Sequence, residues 1–249
     1  MHKFFVDKRN ITEKTITIDG DDVKHISKVL RLRQGDEVLV SDGKCNEYTA
    51  VIDLIDKKEV ICSISNSFKN ETESDIKITL FQGLPKSTKM ELIIQKGVEI
   101  GIDNIIPVIT DRVVVKTEAR DLTNKIDRWN KIAKEAAKQS GRGRVMEIEP
   151  PISFSDALNK TKDFDLAVMP YENANDEGLK KVLSENREAK NIAIFIGPEG
   201  GFEESEVSSS LNVGVCPVTL GPRILRTETA GLVASTIILY EIGDMGGKI

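Results

Sequence analysis

The stretch from Ile196 to Phe202, IGPEGGF, follows directly on the apolar run NIAIFI and sets one carboxylate, Glu199, among glycines. A glycine-rich turn behind a buried strand is a common seat for a phosphate, but the chemistry here does not fit one. The chain contains no GxxxxGKS/T and no GxGxxG opening a helix, and Glu199 would repel a phosphate laid on the loop. A carboxylate in that place suits a ligand that is cationic or rich in N–H and O–H groups, such as an adenosine with a positively charged tail. Two other stretches are of the same kind: VMPYE at 168–172 and LGPRILRTETAG at 220–231. IGPEGG and LGPR share Gly-Pro after an apolar run. Glycine lets the backbone turn tightly or approach a ligand, while proline fixes φ and removes a donor. Because ligands of open α/β sheets bind outside the carboxyl ends of the strands, the three ends are expected to line one pocket.

The elements that must position these loops can be read from the pattern. After about Phe68 and the polar, turn-rich NSFKNETESD, apolar runs IKITLFQG, IIPVIT, FDLAVMP, NIAIFIG and VCPVTLG alternate with helical stretches. Strands apolar throughout are buried on both faces, which predicts an α/β domain with a mostly parallel sheet. Met90, Ile93, Ile94 and Val98 form one face of a helix that Gly101 ends. A second helix is expected to start at a Thr123 cap, turn Ile126, Trp129, Ala133, Ala136 and Ala137 inward, and stop at Gly141. The last helix, Thr229 to Ile242, has almost no polar face, so it is expected to be buried nearly all round and to pack against a second subunit about a two-fold axis.

Before Phe68 the runs are short and alternating, TITIDGDD, EVLVSDGKCNEYTAVI and EVICSISNS, with Asp42-Gly43 reading as a two-residue hairpin turn. One helix, Asp21 to Leu32, interrupts them and carries Lys24, Lys28 and Arg31 on one side.

With 39% hydrophobic and 30% charged residues and no apolar run near the ~20 residues that span a bilayer, the 249-residue chain reads as soluble, in one large or two ordinary domains. The N-terminus lacks the apolar core of a secretion signal, so the expected location is the cytoplasm. Cys45, Cys62 and Cys216 are isolated, read as small core residues, and no metal is implied. The net charge of −5 argues against a simple nucleic-acid coat, yet Arg112 to Arg144 holds ten Lys/Arg against four acids.

IGPEGGFEESEV followed by LGPRILRTETAGLVA, with HISKVLRLRQGDEVLVSDG near the start and KMELIIQKGVEIGI between, resembles the ribosomal RNA small-subunit methyltransferase E family over nearly the whole chain. The resemblance implies an α/β protein of two domains: a PUA-like RNA-binding β-barrel over 1–72, and over 73–249 a SPOUT-class domain whose mostly parallel sheet, flanked by helices, holds a trefoil knot. It further implies a homodimer, S-adenosyl-L-methionine as cofactor, and methylation of uridine N3 in small-subunit ribosomal RNA, naked or in an assembling subunit. By position, the cofactor residues would be Met169, Pro170, Ile196, Gly197, Gly200, Gly201, Leu220, Gly221, Ile224 and Leu225. The family often has Ser or Thr where Glu203 stands.

Methyl transfer to N3 needs the acceptor held in line and its proton removed. His2 and His25 both lie in the small domain, and Cys216 lies in an apolar run, which leaves Glu199 and Glu228 as possible proton acceptors. Arg223 and Arg226 could neutralise charge on the substrate, Arg226 being favoured by its place at a helix entrance. Lys24, Lys28, Arg31 and Arg33, with Lys131, Lys134, Lys138, Arg142 and Arg144, are the expected RNA surface. A non-catalytic RNA-binding assembly factor is the alternative that tolerates bulky residues at Gly200 or Gly221, and a small-molecule enzyme using a nucleotide is a third.

Overall fold

The computed structural model describes residues 1–86, 88–113, 119–174 and 178–247, with only the backbone described over 119–121. Lys116 of the basic segment therefore lies outside the described residues, as does the side chain of Arg120. The chain forms two compact units, Met1–Glu73 with Lys134–Val145, and Ser74–Ala133 with Met146–Ile249.

The first unit is a curled half-barrel of β1 (His2–Phe5), β2 (Thr15–Asp19), β3 (Glu37–Ser41), β4 (Asn46–Ile55) and β5 (Glu59–Lys69), in the order β1-β3-β4-β5-β2. Register shifts in β4 at Thr49/Ala50 and Ile52/Leu54 bend the sheet, as bulges do. Ile16, Ile18, Val38, Val40, Ala50, Ile52 and Val60 alternate inward from four strands to make its core. Asp42-Gly43 does lie in a β3–β4 hairpin. The loop has four residues rather than two, because the Asp42 side chain accepts from the N–H groups of Lys44 and Asn46 and Cys45 adds a second positive φ of 68°. The polar NSFK stretch continues β5 instead of opening a linker. The expected Asp21–Leu32 helix is one α turn, α1 (Asp21–Lys24), continued by a π-helical segment His25–Leu30 that Arg31 ends at φ 55°.

The chain returns to this unit through Lys134–Val145, and the return supplies buried charge. Lys3 donates to Glu47, to the Arg142 carbonyl at 2.6 Å and to the Gly141 carbonyl at 3.1 Å. Arg142 grips Glu73 with Nε at 2.9 Å and Nη2 at 2.7 Å, and the Gly143 N–H donates to the same carboxylate at 2.8 Å. Asp22 takes Lys138 at 2.7 Å and Lys134 at 3.5 Å.

The second unit is built on an all-parallel sheet ordered β11-β9-β10-β6-β7-β8. Its strands are β6 (Lys77–Gly83), β7 (Asn104–Ile109), β8 (Ile152–Ser153), β9 (Leu166–Pro170), β10 (Asn191–Ile196) and β11 (Cys216–Val218). Its helices are α2 (Lys89–Ile100), α3 (Ala119–Ser140, whose last turns belong to the first unit), α4 (Phe154–Asn159), α5 (Leu179–Glu185), α6 (Glu204–Asn212) and α7 (Thr227–Ile242). The apolar strands are buried on both faces as their composition requires, and stacked Phe81 and Phe195, 4.6 Å apart, centre one layer. Helix α2 matches its expected face and ends at Gly101, φ 113°. Helix α3 starts four residues before Thr123, since nothing in Ala119–Leu122 breaks a helix. Within this chain α7 buries one stripe, Ala230, Gly231, Ala234, Ser235 and Ile238, and leaves Thr236 and Tyr240 exposed. Burial on the remaining face is left to a second subunit, as the sequence reading expects. Among the cysteines Cys62 alone is buried; Cys45 and Cys216 are half-exposed. No helix among the described residues is long and apolar enough to cross a membrane.

Glu73 allows a direct test of the buried charge. Burial alone would push its carboxyl up, but the Arg142 hydrogen bonds and charge more than offset this and hold it below the usual range. Glu73→Gln should lose about 3 kcal/mol in urea denaturation at neutral pH. Because the folded value is depressed, that contribution is complete above the unfolded carboxyl's pKa and fades as pH falls through the folded one. The gap between the two proteins should therefore narrow as the pH falls through the lowered pKa of Glu73.

Candidate functional site

Ligands of open α/β sheets bind beyond the carboxyl ends of the strands. A cleft of about 820 Å³ lies there, lined by the segments that follow β9, β10 and β11 and by the first turn of α7. The sheet and its loops meet closely. A Cβ on Gly83, the last residue of β6, would lie 2.7 Å from the Pro198 ring and backbone and 3.0 Å from the Gly197 carbonyl carbon. Only glycine there lets the loop after β10 cross the end of β6.

Polar contacts then lock that loop. The Thr227 hydroxyl donates to the Gly197 carbonyl at 2.6 Å and accepts from Gln82 Nε2 at 2.9 Å, and the Gly201 N–H closes the turn on the Pro198 carbonyl at 2.9 Å. Arg112, just beyond β7, donates from Nη1 to the Gly200 carbonyl at 2.6 Å and grips Glu203 through Nε at 2.7 Å and Nη2 at 3.0 Å. That pairing raises the Arg112 pKa and lowers that of Glu203. The Glu203 N–H donates to the Glu206 carboxylate at 2.9 Å, so the start of α6 is capped without a Ser or Thr.

Of the expected cofactor residues, Pro170, Ile196, Gly197, Gly201, Leu220, Gly221, Ile224 and Leu225 all line the cleft. Met169 does not: its side chain is fully buried in the core beneath. Gly200 also lies outside the lining, turned to the Arg112 side of the loop. Gly221 has φ 117°, a conformation L residues rarely adopt, inside a turn where its N–H donates to Thr219 Oγ1 at 3.1 Å.

Of the expected charged residues, Glu199, Arg223 and Arg226 line the cleft, as do Lys89 and Glu172, and neither arginine's guanidinium has a hydrogen-bond or ion-pair partner among the described residues. Glu228 is not in the lining. Lys89, at the start of α2, stands between the two carboxylates, 3.0 Å from Glu199 Oε1 and 3.3 Å from Glu228 Oε2. The Lys86 N–H adds a bond to Glu199 at 3.0 Å. Glu199, read as the counter-charge for a cationic ligand, thus already has a cation of its own. Burial would push the Glu199 carboxyl up, but its own backbone N–H, Lys89 and the Lys86 N–H hold it below the usual value. The Glu228 carboxyl is held down by its own backbone N–H and by Lys89, against burial.

The basic residues divide. Lys24, Lys28, Arg31, Arg33 and Arg144 are exposed in the first unit, and Lys131 is exposed in the second. Arg142, 7% exposed, is held by Glu73, and Lys138 is held by Asp22, whereas Lys134, 3.5 Å from Asp22, keeps 40% of its side-chain surface. Sequence reasoning missed Gln82, Gly83, Lys89, Arg112, Tyr171 and Thr227. No group of three or more His, Cys, Asp or Glu among the described residues could hold a metal.

Residues 72–239 match the family described as RNA methyltransferase domain, and residues 18–65 match an RNA methyltransferase PUA domain. Ribosomal RNA small subunit methyltransferase E of Bacillus subtilis is 36% identical over 97% of both chains. The crystal structure of the Neisseria gonorrhoeae enzyme of that name, bound to S-adenosyl methionine, is 31% identical, with a TM-score of 0.88 over 98% of this chain and 99% of that one. A putative methyltransferase from Legionella pneumophila, also in complex with S-adenosyl methionine, has a TM-score of 0.88 at 29% identity, covering 98% of each chain. The chain belongs to the ribosomal RNA small subunit methyltransferase E family.

The Thr227 relay makes a local prediction. Thr227→Val leaves the Gly197 carbonyl without its donor and should cost about 1–3 kcal/mol of stability in denaturant unfolding, while Thr227→Ser keeps the hydroxyl and most of that stability. Equal losses in the two variants would remove the hydrogen bond from the account.

Proposed function

We propose that this protein transfers a methyl group from S-adenosyl-L-methionine to N3 of a uridine in 16S ribosomal RNA. The observation that carries the reading is the cleft over β9, β10 and β11. Its walls combine bare glycine backbone, apolar Ile196, Ile224 and Leu225, and the Glu199 carboxylate, a donor and acceptor set that fits an adenosine with a cationic tail. Pro170, Ile196, Gly197, Gly201, Leu220, Gly221, Ile224 and Leu225 would hold it, and when bound it supplies a methyl group on a positively charged sulfur. Met169 supports from below, and Gly200 serves the Arg112 clamp.

The chain's residues then have three tasks. The rigid loops fix the geometry of attack, which contributes more than any single contact. Arg226 is exposed on the cleft wall with its guanidinium unpaired among the described residues, and it stabilises the negative charge that develops on the uracil. Arg223, exposed two residues past Gly221, serves a substrate phosphate. Of the two candidate acceptors Glu199 lines the cleft and is the proton acceptor; Glu228, outside the lining, acts through Lys89. A carboxyl held below its usual pKa is fully ionised at neutral pH but is a weak base, so stabilisation of the anion by Arg226 carries the larger share of the step. N3 is reached only after the base leaves its stack.

The residues that contact RNA are, in the first unit, Lys24, Lys28, Arg31, Arg33 and Arg144, and, in the second, Lys131. The π-helical turn that exposes Lys28 is the irregularity that helices show at functional sites. The exposed face of α7 with Tyr240 is where a second copy would pack, giving a homodimer. With no membrane-crossing helix among the described residues, a cytoplasmic location accords with ribosomal RNA as substrate.

Arg226→Ala should bind the cofactor within about twofold of the parent while turnover, read as N3-methyluridine in digested ribosomal RNA, falls by about 100-fold or more. Wild-type turnover in that variant would remove Arg226 from the site. RNA affinity should fall steeply with salt, and Lys28→Ala and Arg31→Ala should each lower the slope of log affinity against log salt by about one. A slope unchanged in both would place the RNA elsewhere.

A further inference from the structure

The Lys89 ammonium joins three segments bordering the cleft. It begins α2, meets Glu199 in the middle of the loop after β10 at 3.0 Å, and meets Glu228 in the first turn of α7 at 3.3 Å. An exposed ion pair is worth little, but this one is not freely exposed. The side chains retain 31%, 27% and 15% of their accessible surface for Lys89, Glu199 and Glu228. Glu228 Oε2 is buried and has no hydrogen bond among the described residues, so the ammonium is what answers its charge. Without Lys89, two carboxylates on separate segments would face each other with only backbone N–H groups and the more distant Arg226 charge to oppose their repulsion.

We propose that Lys89 is a positioning residue of the methyl-transfer site: it ties the start of α2, the glycine loop and the start of α7 together through Glu199 and Glu228. Glu199 is thereby kept charged, fixed and aimed along the cleft wall, and the loop that bears it is held against α7. The inference deepens the methyl-transfer reading and rests on it for its consequence, though not for its geometry. Lys86 contributes only its backbone N–H to Glu199. The charged groups facing the two carboxylates are therefore Lys89 and, for Glu228, Arg226.

The sign of the pH effect follows. With Lys89 present both carboxyls sit below their usual pKa, so both remain charged from neutral pH down into the acid range. With Lys89 gone, burial and mutual repulsion push at least one of them up. The test titrates the carboxyls by ¹³C NMR in cofactor-free protein labelled at glutamate, with Glu199→Gln and Glu228→Gln giving the assignments. In Lys89→Met the proton affinity of Glu199 or Glu228 should rise at least about tenfold, and Lys89→Arg should restore it. In parallel, calorimetry with S-adenosyl-L-methionine should show binding to Lys89→Met weakened and falling further from pH 7 to pH 5.

Carboxyl titrations unchanged in Lys89→Met would overturn the proposal. So would a loss of binding that is flat with pH and not rescued by Lys89→Arg, which a merely structural role produces. Should the parent protein bind no S-adenosyl-L-methionine, the methyl-transfer reading falls, and the carboxyl titrations still decide whether Lys89 holds the pair.

Discussion

There is no room for a Cβ where β6 ends. The contact of 2.7 Å that any side chain on Gly83 would make with Pro198 brings the loop after β10 across the end of its neighbouring strand. From this close approach the rest of the site is built. Once the loop lies there, Gly197 presents its carbonyl to Thr227, Gly200 presents its own to Arg112, and Glu199 meets Lys89. The three bonds draw on α7, the segment after β7 and α2, so the loop is fixed from several directions. A loop held in this way loses little entropy when a ligand arrives, which is the physical meaning of pre-organisation.

The glycines and the carboxylate of IGPEGG thus have separate duties. The glycines give the backbone its path and leave the cleft wall bare. The carboxylate is a peg, seated on the Lys86 N–H and the Lys89 ammonium, whose remaining lone pairs are left for the cleft. An acidic residue in a ligand-binding loop need not be the ligand's counter-ion; here it has an internal partner first. The first unit makes the same point with the opposite sign. Lys3 and Arg142 are buried structural cations, whereas Lys24, Lys28, Arg31 and Arg33 stand in water, though all are drawn from one basic complement.

Much of this was legible in the sequence, for identifiable reasons. Helix α2 declared itself because its apolar residues keep a 3.6 period up to a glycine that can adopt positive φ, and the buried parallel strands because they are apolar at every position. The pocket loops were legible because Gly-Pro after such a strand has few other uses. What escaped depends on contacts between distant positions. Lys89 reads as an ordinary helix residue until Glu199 and Glu228 are beside it, and Arg112 as one more member of a basic run until it closes on Glu203. The return of Lys134–Val145 to the half-barrel has no local signature, since the helix α3 that carries it keeps its period throughout. The π-helical turn at His25–Leu30 was hidden because its apolar pattern is also consistent with an α-helix, and Cys216, set among apolar letters, proved half-exposed because β11 is an edge strand. The family resemblance was carried by motifs in order over the whole chain, which one loop could not have supported.

The central claim is that the cleft bounded by the loops after β9, β10 and β11 binds S-adenosyl-L-methionine. It is tested most directly by calorimetric titration of that compound into the parent protein and into Gly221→Val. Position 221 lines the cleft and has φ 117°, so any side chain there strains the loop and narrows the site without touching the core. The account predicts saturable binding to the parent and loss of binding in a variant that retains its circular dichroism and unfolding transition. Equal binding by the two proteins would put the cofactor elsewhere, and no binding to the parent would contradict the account.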